Sequence, residues 1–167
     1  FWVEAFGNNL NQNQVKNDDG FSANSVGVVF GLDKETAKGN ISGVSLSYAR
    51  STVKTLDDSK SNLISTYQLS AFSGLKFNKY FIDLIGSFAL HQYSQTKSID
   101  AIEAGSTARY NGQTYAAKIK FGKIENLKYD LKFIPEFSLN LMHSAIDDYT
   151  ENGAETLNLQ VGGVAAN

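Results

Sequence analysis

Polar and apolar residues alternate at a period of two along most of this chain. The clearest stretch covers residues 61–93, SNLISTYQLSAFSGLKFNKYFIDLIGSFALHQY. Tyr67, Leu69 and Ala71 fall on one face, and Thr66, Gln68 and Ser70 on the other. After a very short turn at Asn78-Lys79, Ile82, Leu84, Phe88 and Leu90 share a face opposite Asp83, Ser87 and His91. Successive side chains of a pleated backbone point to opposite sides, so this pattern predicts two strands joined as a hairpin. Each run is about ten residues or longer. That exceeds the roughly 5–6 residues of an ordinary strand and approaches the roughly 9–11 of a tilted membrane-spanning one.

The same reading extends to both ends of the chain. An aromatic strand covers residues 1–7, where Trp2, Glu4 and Phe6 alternate with Val3 and Ala5, and a polar loop follows over 8–20. Strand two covers 21–33, with Val26, Val28, Phe30 and Leu32 on one face, and 34–40 forms a compact turn. Strand three covers 41–53, with Val44, Leu46 and Tyr48 opposite Gly43, Ser45, Ser47 and Ala49, and a polar segment lies over 56–60. The hairpin of 61–93 supplies strands four and five, followed by a long polar loop over 96–112. Strand six covers 113–123, with a turn at 125–128. Strand seven covers 129–144, and an acidic loop covers 147–154. Strand eight begins at Glu155, with Leu157, Leu159 and Val161 alternating with Asn158 and Gln160. Pro135 lies inside strand seven; lacking an N–H, it must cost a ladder bond there, and a bulge is expected.

Eight strands and no competing helical pattern predict an all-β, antiparallel, up-and-down sheet. Connections after strands two, four and six read as short, and those after one, three, five and seven as longer or more polar. Short turns on the periplasmic side and longer loops outside are the arrangement of an outer-membrane barrel. One face carries Leu, Val, Ile, Phe and Tyr, and the other Gly, Ser, Asn, Gln and scattered charges. A soluble sandwich inverts this logic, with the apolar face inside. Strand length, strand count and the small residues of the polar face favour the transmembrane β-barrel. Tyr48, Phe77, Tyr80, Phe81, Tyr93, Tyr110 and Tyr129 cluster at strand ends. They read as two aromatic girdles at the lipid–water interfaces.

Composition adds limits. The chain has 167 residues, 42% hydrophobic, with a net charge of -2 and mixed signs, so no clustered basic face points to nucleic acid. No apolar run is long enough for a transmembrane helix, and a barrel would show none. There is no Cys, which excludes a disulfide scaffold or a thiolate metal site. The opening FWVEAFGNN lacks the basic and apolar regions of a signal peptide, so an exported form is expected to come from a longer precursor.

The segments WVEAFGN, SVGVVFGLD, GVSLSYARS, YQLSAFSGLKF, FIDLIGSFALHQY, YAAKIKFG and LKFIPEFSLNLMHSAIDDYTE, in this order and spacing, resemble the autotransporter β-domain, the translocator of type V secretion. The resemblance implies a twelve-stranded barrel with a helix through its pore. Residues 1–167 then form a single partial barrel domain of about the first eight strands, ending at Val164-Ala-Ala-Asn167 before the terminal aromatic strand. It further implies a barrel in the outer membrane of a Gram-negative bacterium, supporting export of its own N-terminal passenger. Its partners would be outer-membrane lipid, that passenger, the barrel assembly machinery and periplasmic chaperones, with no cofactor. Asp83, Lys118, Lys120, Lys132, Glu136 and Asn140 would face the lumen and meet the passenger hairpin or plug helix. A solvated, mutually paired lining is the plainer account of these six.

The only histidines are His91 and His143, and Asp147, Asp148 and Glu151 follow the second. A rim Asp–His site is the one catalytic option, but Asp147-Asp148 reads more simply as an exposed polar turn. Asp57, Asp58, Asp147 and Asp148 lie in no EF-hand pattern, so solvated loops describe them better than a metal site. Asn8-Asn9 follows strand one, which is the wrong side of it for self-cleavage of a passenger. The remaining alternatives are a self-contained eight-stranded outer-membrane protein, acting as an adhesin or structural barrel, and a rim enzyme.

Overall fold

Backbone hydrogen bonding follows the alternation closely. The computed structural model describes residues 1–14, 20–57, 59–99, 104–129, 131–153 and 158–167. Its strands are β1 (Trp2–Gln12), β2 (Phe21–Glu35), β3 (Ile41–Thr55), β4 (Lys60–Phe77), β5 (Tyr80–Ile99), β6 (Ala104–Lys123), β7 (Glu125–Asn126), β8 (Lys132–Phe133), β9 (Glu136–Ile146), β10 (Tyr149–Thr150), β11 (Gln160–Val161) and β12 (Val164–Ala166). One eight-stranded antiparallel sheet runs β1-β2-β3-β4-β5-β6-β9-β12; β7-β8 and β10-β11 are separate two-stranded sheets. None of the described residues is helical. The sheet is open: β1 pairs only with β2, and the far edge is β9 with β12.

Register puts every apolar run on one face. Phe30 pairs with Leu46, Leu46 with Leu69, Leu69 with Phe88 and Phe88 with Tyr115. Leu32, Val44, Ala71, Gly86, Ala117 and Leu141 form the neighbouring row. This face is open to the surroundings: Val26 is 63% exposed, Leu46 62% and Phe137 70%. Among the described residues the buried apolar side chains are two alanines, Ala89 and Ala108. So small a core cannot offset the conformational entropy of folding in water, whereas an uncovered apolar band suits lipid. On β5 the band runs from Tyr80 to Leu90 and gives way to Gln92, Ser94 and Thr96 on the same face. At about 3.3 Å per residue and a barrel tilt of about 40°, Tyr80–Leu90 spans roughly 25 Å, the height of an outer-membrane apolar band.

The opposite face is half-buried along β3, as on the concave side of a curved sheet. Small and aromatic residues interlock on it. Trp2 pairs with Gly31, Phe6 with Gly27, Phe72 with Gly43 and Phe81 with Gly122. A Cβ at Gly31, Gly27 or Gly122 would overlap the ring of its partner, and one at Gly43 would crowd Phe72. The rings therefore lie flat over the glycines and fill space that a larger inner-face residue would need.

Several expectations change. Residues 8–12 belong to β1 and not to the loop expected over 8–20, part of which (15–19) lies outside the described residues. The polar stretch 96–112 is mostly strand: Thr96 pairs with Thr107 and Ser98 with Gly105, leaving only 100–103 outside the described residues. Polarity there marks strands that have passed beyond the apolar band and not a loop. The expected contrast in connection length narrows accordingly, since β3 and β4 are separated by 56–59 alone. The two-residue turn at Asn78-Lys79 stands, with Asn78 at φ 52, a conformation Asn tolerates.

Strand seven breaks where a bulge was expected. The β6–β9 register runs evenly from Gly122↔Glu136 to Gly112↔Ile146, and Pro135 sits just ahead of it, its carbonyl accepting from the Lys123 amide at 3.1 Å. With no N–H, Pro135 fits the entry to a strand better than its interior. Before it the chain leaves the main sheet, and Lys132–Phe133 pairs back onto Glu125–Asn126. Strand eight is also shorter than expected: 154–157 lie outside the described residues, Gln160–Val161 pairs with Tyr149–Thr150, and only Val164–Ala166 joins β9.

The girdles need correction as well. Tyr48 meets Tyr67 at 5.1 Å on the apolar face, and Phe88 meets Tyr115 at 4.9 Å. Tyr80 stacks on Phe121 near the turns, under the Lys123 ammonium. Phe81, Tyr93 and Tyr110 point to the concave face, and Tyr129 occupies a turn at φ 62. Parity, not nearness to a strand end, decides which ring meets lipid.

Replacing Gly122 by Val is expected to destabilise the barrel by about 1–3 kcal/mol through overpacking against Phe81. Adding Phe81→Ala is expected to restore part of the loss, measured as the temperature at which the band in cold-loaded electrophoresis loses its compact mobility. Unchanged mobility for Gly122→Val alone would contradict the interlock.

Candidate functional site

The concave face is the candidate site, because most of the charged side chains of the strands lie on it. Near the turn end, Asp83 pairs with Lys120, and Lys118 with Asn140. Lys120 also reaches Glu136 at 3.4 Å. Gly74 lies opposite Asp83 and leaves open a cleft of about 370 Å³ lined by Phe72, Gly74, Asp83, Lys118 and Lys120. Five of the six expected lumen residues, Asp83, Lys118, Lys120, Glu136 and Asn140, are thus neighbours on one surface. Lys132 is not among them: it sits in the small β7–β8 hairpin at the turn end. The Pro135 break removes it from the parity that the sequence pattern assigned.

Further up, a row of side-chain hydrogen bonds crosses four strands. Thr66 Oγ1 meets His91 Nδ1 at 2.9 Å, His91 Nε2 meets Thr114 Oγ1 at 3.0 Å, and Thr114 Oγ1 meets Ser144 Oγ at 2.9 Å. A neutral imidazole has one donor and one acceptor nitrogen, so both are used in the row. His143 is on the other face, paired with Asn167. The two histidines therefore cannot form one site. Among the described residues no three His, Asp or Glu side chains gather as a metal site would require.

At the loop end the concave face is covered. Tyr93 stacks on Tyr110 at 4.7 Å, and Tyr110 on Tyr149 at 4.1 Å. The β10–β11 pair runs beside β6 there, bridged at Thr107↔Asn152. Glu151, 4% exposed, accepts a hydrogen bond from the Ser106 hydroxyl at 3.2 Å. The stack and the histidine row both escaped the sequence reading. The signal for the stack was present: once β5 and β6 continue as strands, Tyr93 and Tyr110 fall opposite each other.

Among the described residues, two carboxylates outside the membrane band have shifted titration. The Thr55 hydroxyl, then the Ser59 amide and hydroxyl, hold Asp57 at about 2, below its ordinary 3.8. At the turns, hydrogen bonds from Lys123 and then Lys79 lower Glu125.

The model of the autotransporter beta-domain family matches residues 1–167, the whole chain. The chain belongs to the autotransporter beta-domain family. A search of curated proteins finds no match. Among solved structures, this β-domain is similar to the translocator domain of autotransporter NalP from Neisseria meningitidis, with a TM-score of 0.81 and 14% identity. The likeness covers 98% of this chain and 55% of that one, so the β-domain spans about half of the NalP translocator's length. At this identity the likeness carries the fold, an antiparallel translocator barrel.

A depressed carboxylate stabilises above its unfolded pKa and loses that contribution as pH falls through the folded value. For Asp57 the loss is expected between about pH 4 and pH 2. Carboxyl-carbon NMR should give a midpoint near 2, rising toward 3.8 in Thr55→Val/Ser59→Ala. A midpoint already near 3.8 in the unaltered protein would contradict the turn geometry. His91→Ala removes two links of the hydrogen-bonded row and is expected to cost about 1–3 kcal/mol, read from the urea midpoint of unfolding.

Proposed function

We propose that this β-domain is the outer-membrane translocator unit of a larger polypeptide and supports export of an N-terminal passenger to the cell surface. The observation that carries the reading is the uncovered apolar band of roughly barrel height on one face of the sheet, with a polar, hydrogen-bonded lining on the other. Family membership supports the same role. The ends β1 and β9/β12 carry unpaired backbone groups. Hydrocarbon does not tolerate such edges, so further strands close the barrel in the membrane. The turn end then faces the periplasm, and the connections after β1, β3, β5 and β9 face outside.

In this role Asp83, Lys118, Lys120, Glu136 and Asn140 line the lower lumen and contact the passenger hairpin or a plug helix. Their mixed signs suit a passing chain of any sequence, because no single charge is held. Lys132 meets it only at the periplasmic entrance. Periplasmic chaperones and the barrel assembly machinery are the partners needed to bring unpaired strands into lipid. No bond making or breaking is assigned to the domain.

Outer membranes of the source cell, probed with an antibody to residues 8–14 with and without heating, test the reading. The expected result is a heat-modifiable barrel within, or cleaved from, a polypeptide far larger than 167 residues. A single small band would favour a self-contained barrel, and recovery only in the soluble fraction would refute the membrane reading. Exchanging Lys118 and Lys120 for Glu is expected to slow surface appearance of the passenger severalfold without changing barrel mobility. Unaltered export would remove these residues from the passenger path.

A further inference from the structure

We propose that the outward face just above the apolar band binds the phosphorylated headgroup of an outer-leaflet glycolipid, with Arg50 and Arg109 as its phosphate ligands. The proposal rests on the outer-membrane reading above. Of the 15 basic residues only these two are arginine. Both lie on the lipid-facing side, in adjacent rows of the sheet. Arg50 pairs with Ser65, Ser65 with Gln92, and Gln92 with Asn111. The next row toward the outside is Thr52, Leu63, Ser94 and Arg109. The row immediately below Arg50 begins with the Tyr48–Tyr67 pair of the aromatic girdle. The patch therefore stands at headgroup depth, where hydrocarbon ends.

Its chemistry fits a phosphorylated sugar. A cleft of about 430 Å³ is lined by Ser65, Gln92, Ser94, Arg109 and Asn111 among others. The hydroxyls and amides can exchange hydrogen bonds with sugar hydroxyls, and the planar guanidinium fork matches a phosphate two oxygens at a time. Asp147 stands at the far end of the Arg50 row, its amide donating to the Asn111 carbonyl at 2.9 Å, but no Asp or Glu stands between the two arginines. Both arginines are exposed, and among the described residues neither is engaged in an ion pair. Lys79, Lys120 and Lys123 by contrast are each paired with Glu. Three strand spacings and one row separate the Arg50 and Arg109 Cα atoms, about 16 Å, so the two side chains bracket a headgroup bearing two phosphates. Lys54, four residues beyond Arg50 on the same face, adds attraction for the anion.

The test uses the full-length polypeptide extracted from outer membranes into a mild neutral detergent, with lipid retention followed by native mass spectrometry. The probes are a bisphosphorylated diglucosamine lipid, the same lipid without phosphates, phosphatidylglycerol and inorganic phosphate. The bisphosphorylated lipid is expected to bind saturably and the other three at least tenfold more weakly. R50Q/R109Q is expected to lose at least tenfold in affinity while keeping its heat-modifiable mobility. R50K/R109K, which keeps charge but not the fork, should fall between, and it serves if the glutamine variant does not assemble. Equal binding of the dephosphorylated lipid, undiminished binding by both variants, or an equal response to phosphatidylglycerol or inorganic phosphate would overturn the proposal. A polypeptide absent from the outer membrane would strike the underlying membrane reading, which the fractionation step reports separately.

Discussion

Everything in this sheet depends on the pairing of its backbone. Within hydrocarbon an unpaired N–H or C=O has no water to turn to, so each strand is bound to its neighbours along its length. The ladders meet this demand with an even register from β1 to β9 and no bulge along them. Side chains are then free of the usual task of building a core. That is why a sheet whose described residues bury only two alanines as apolar interior can still be long and ordered.

The two faces solve different problems. The outer face has only to be apolar over the right height, and it tolerates Gly86 and Ala117 beside Phe88 and Tyr115 because lipid fills any contour. The concave face has no fluid hydrocarbon to fill its gaps. It uses rings laid over glycines near the turns, a hydroxyl–imidazole row in the middle and stacked tyrosines near the loops. Charges there are held in ones and twos, with Lys120 and Glu136 the clearest pair. A lining of this kind is polar without being strongly attractive to any one chemical group.

Much of the fold could be read from residue order. Inside the band, parity from Val26 to Leu141 put each side chain on its observed face, because lipid on one side and water on the other impose a strict alternation. The reading weakened wherever that contrast ended. Asn8–Asn9 and Thr96–Gly112 looked like loop because the outward face there has left the lipid and turns polar as well, so polarity no longer separates strand from coil. Phe81, Tyr93 and Tyr110 were placed on the girdle by position, although their parity already put them inside. Pro135 announced a missing bond, yet nothing local distinguished a bulge from a broken strand, and Lys132 was displaced from the lumen by that choice. The cross-strand rows, from His91 to Ser144 and from Arg50 to Arg109, require register, which a single strand does not reveal.

Strand length is unequal around the sheet. β5 and β6 continue well past the band, to Ile99 and from Ala104, while β9 stops at Ile146. At about 3.3 Å per residue, with a barrel tilt of about 40°, the stretch from Gln92 to Ile99 rises roughly 20 Å above the lipid. β1 and β2 rise almost as far, since Gln12 pairs with Phe21 and Phe21 with Thr55, so a wall of paired backbone stands above the band from β1 to β6. Backbone bonds in that wall compete with water on their outer ends, so fraying of the sheet begins at the rim and leaves the rungs within the band paired.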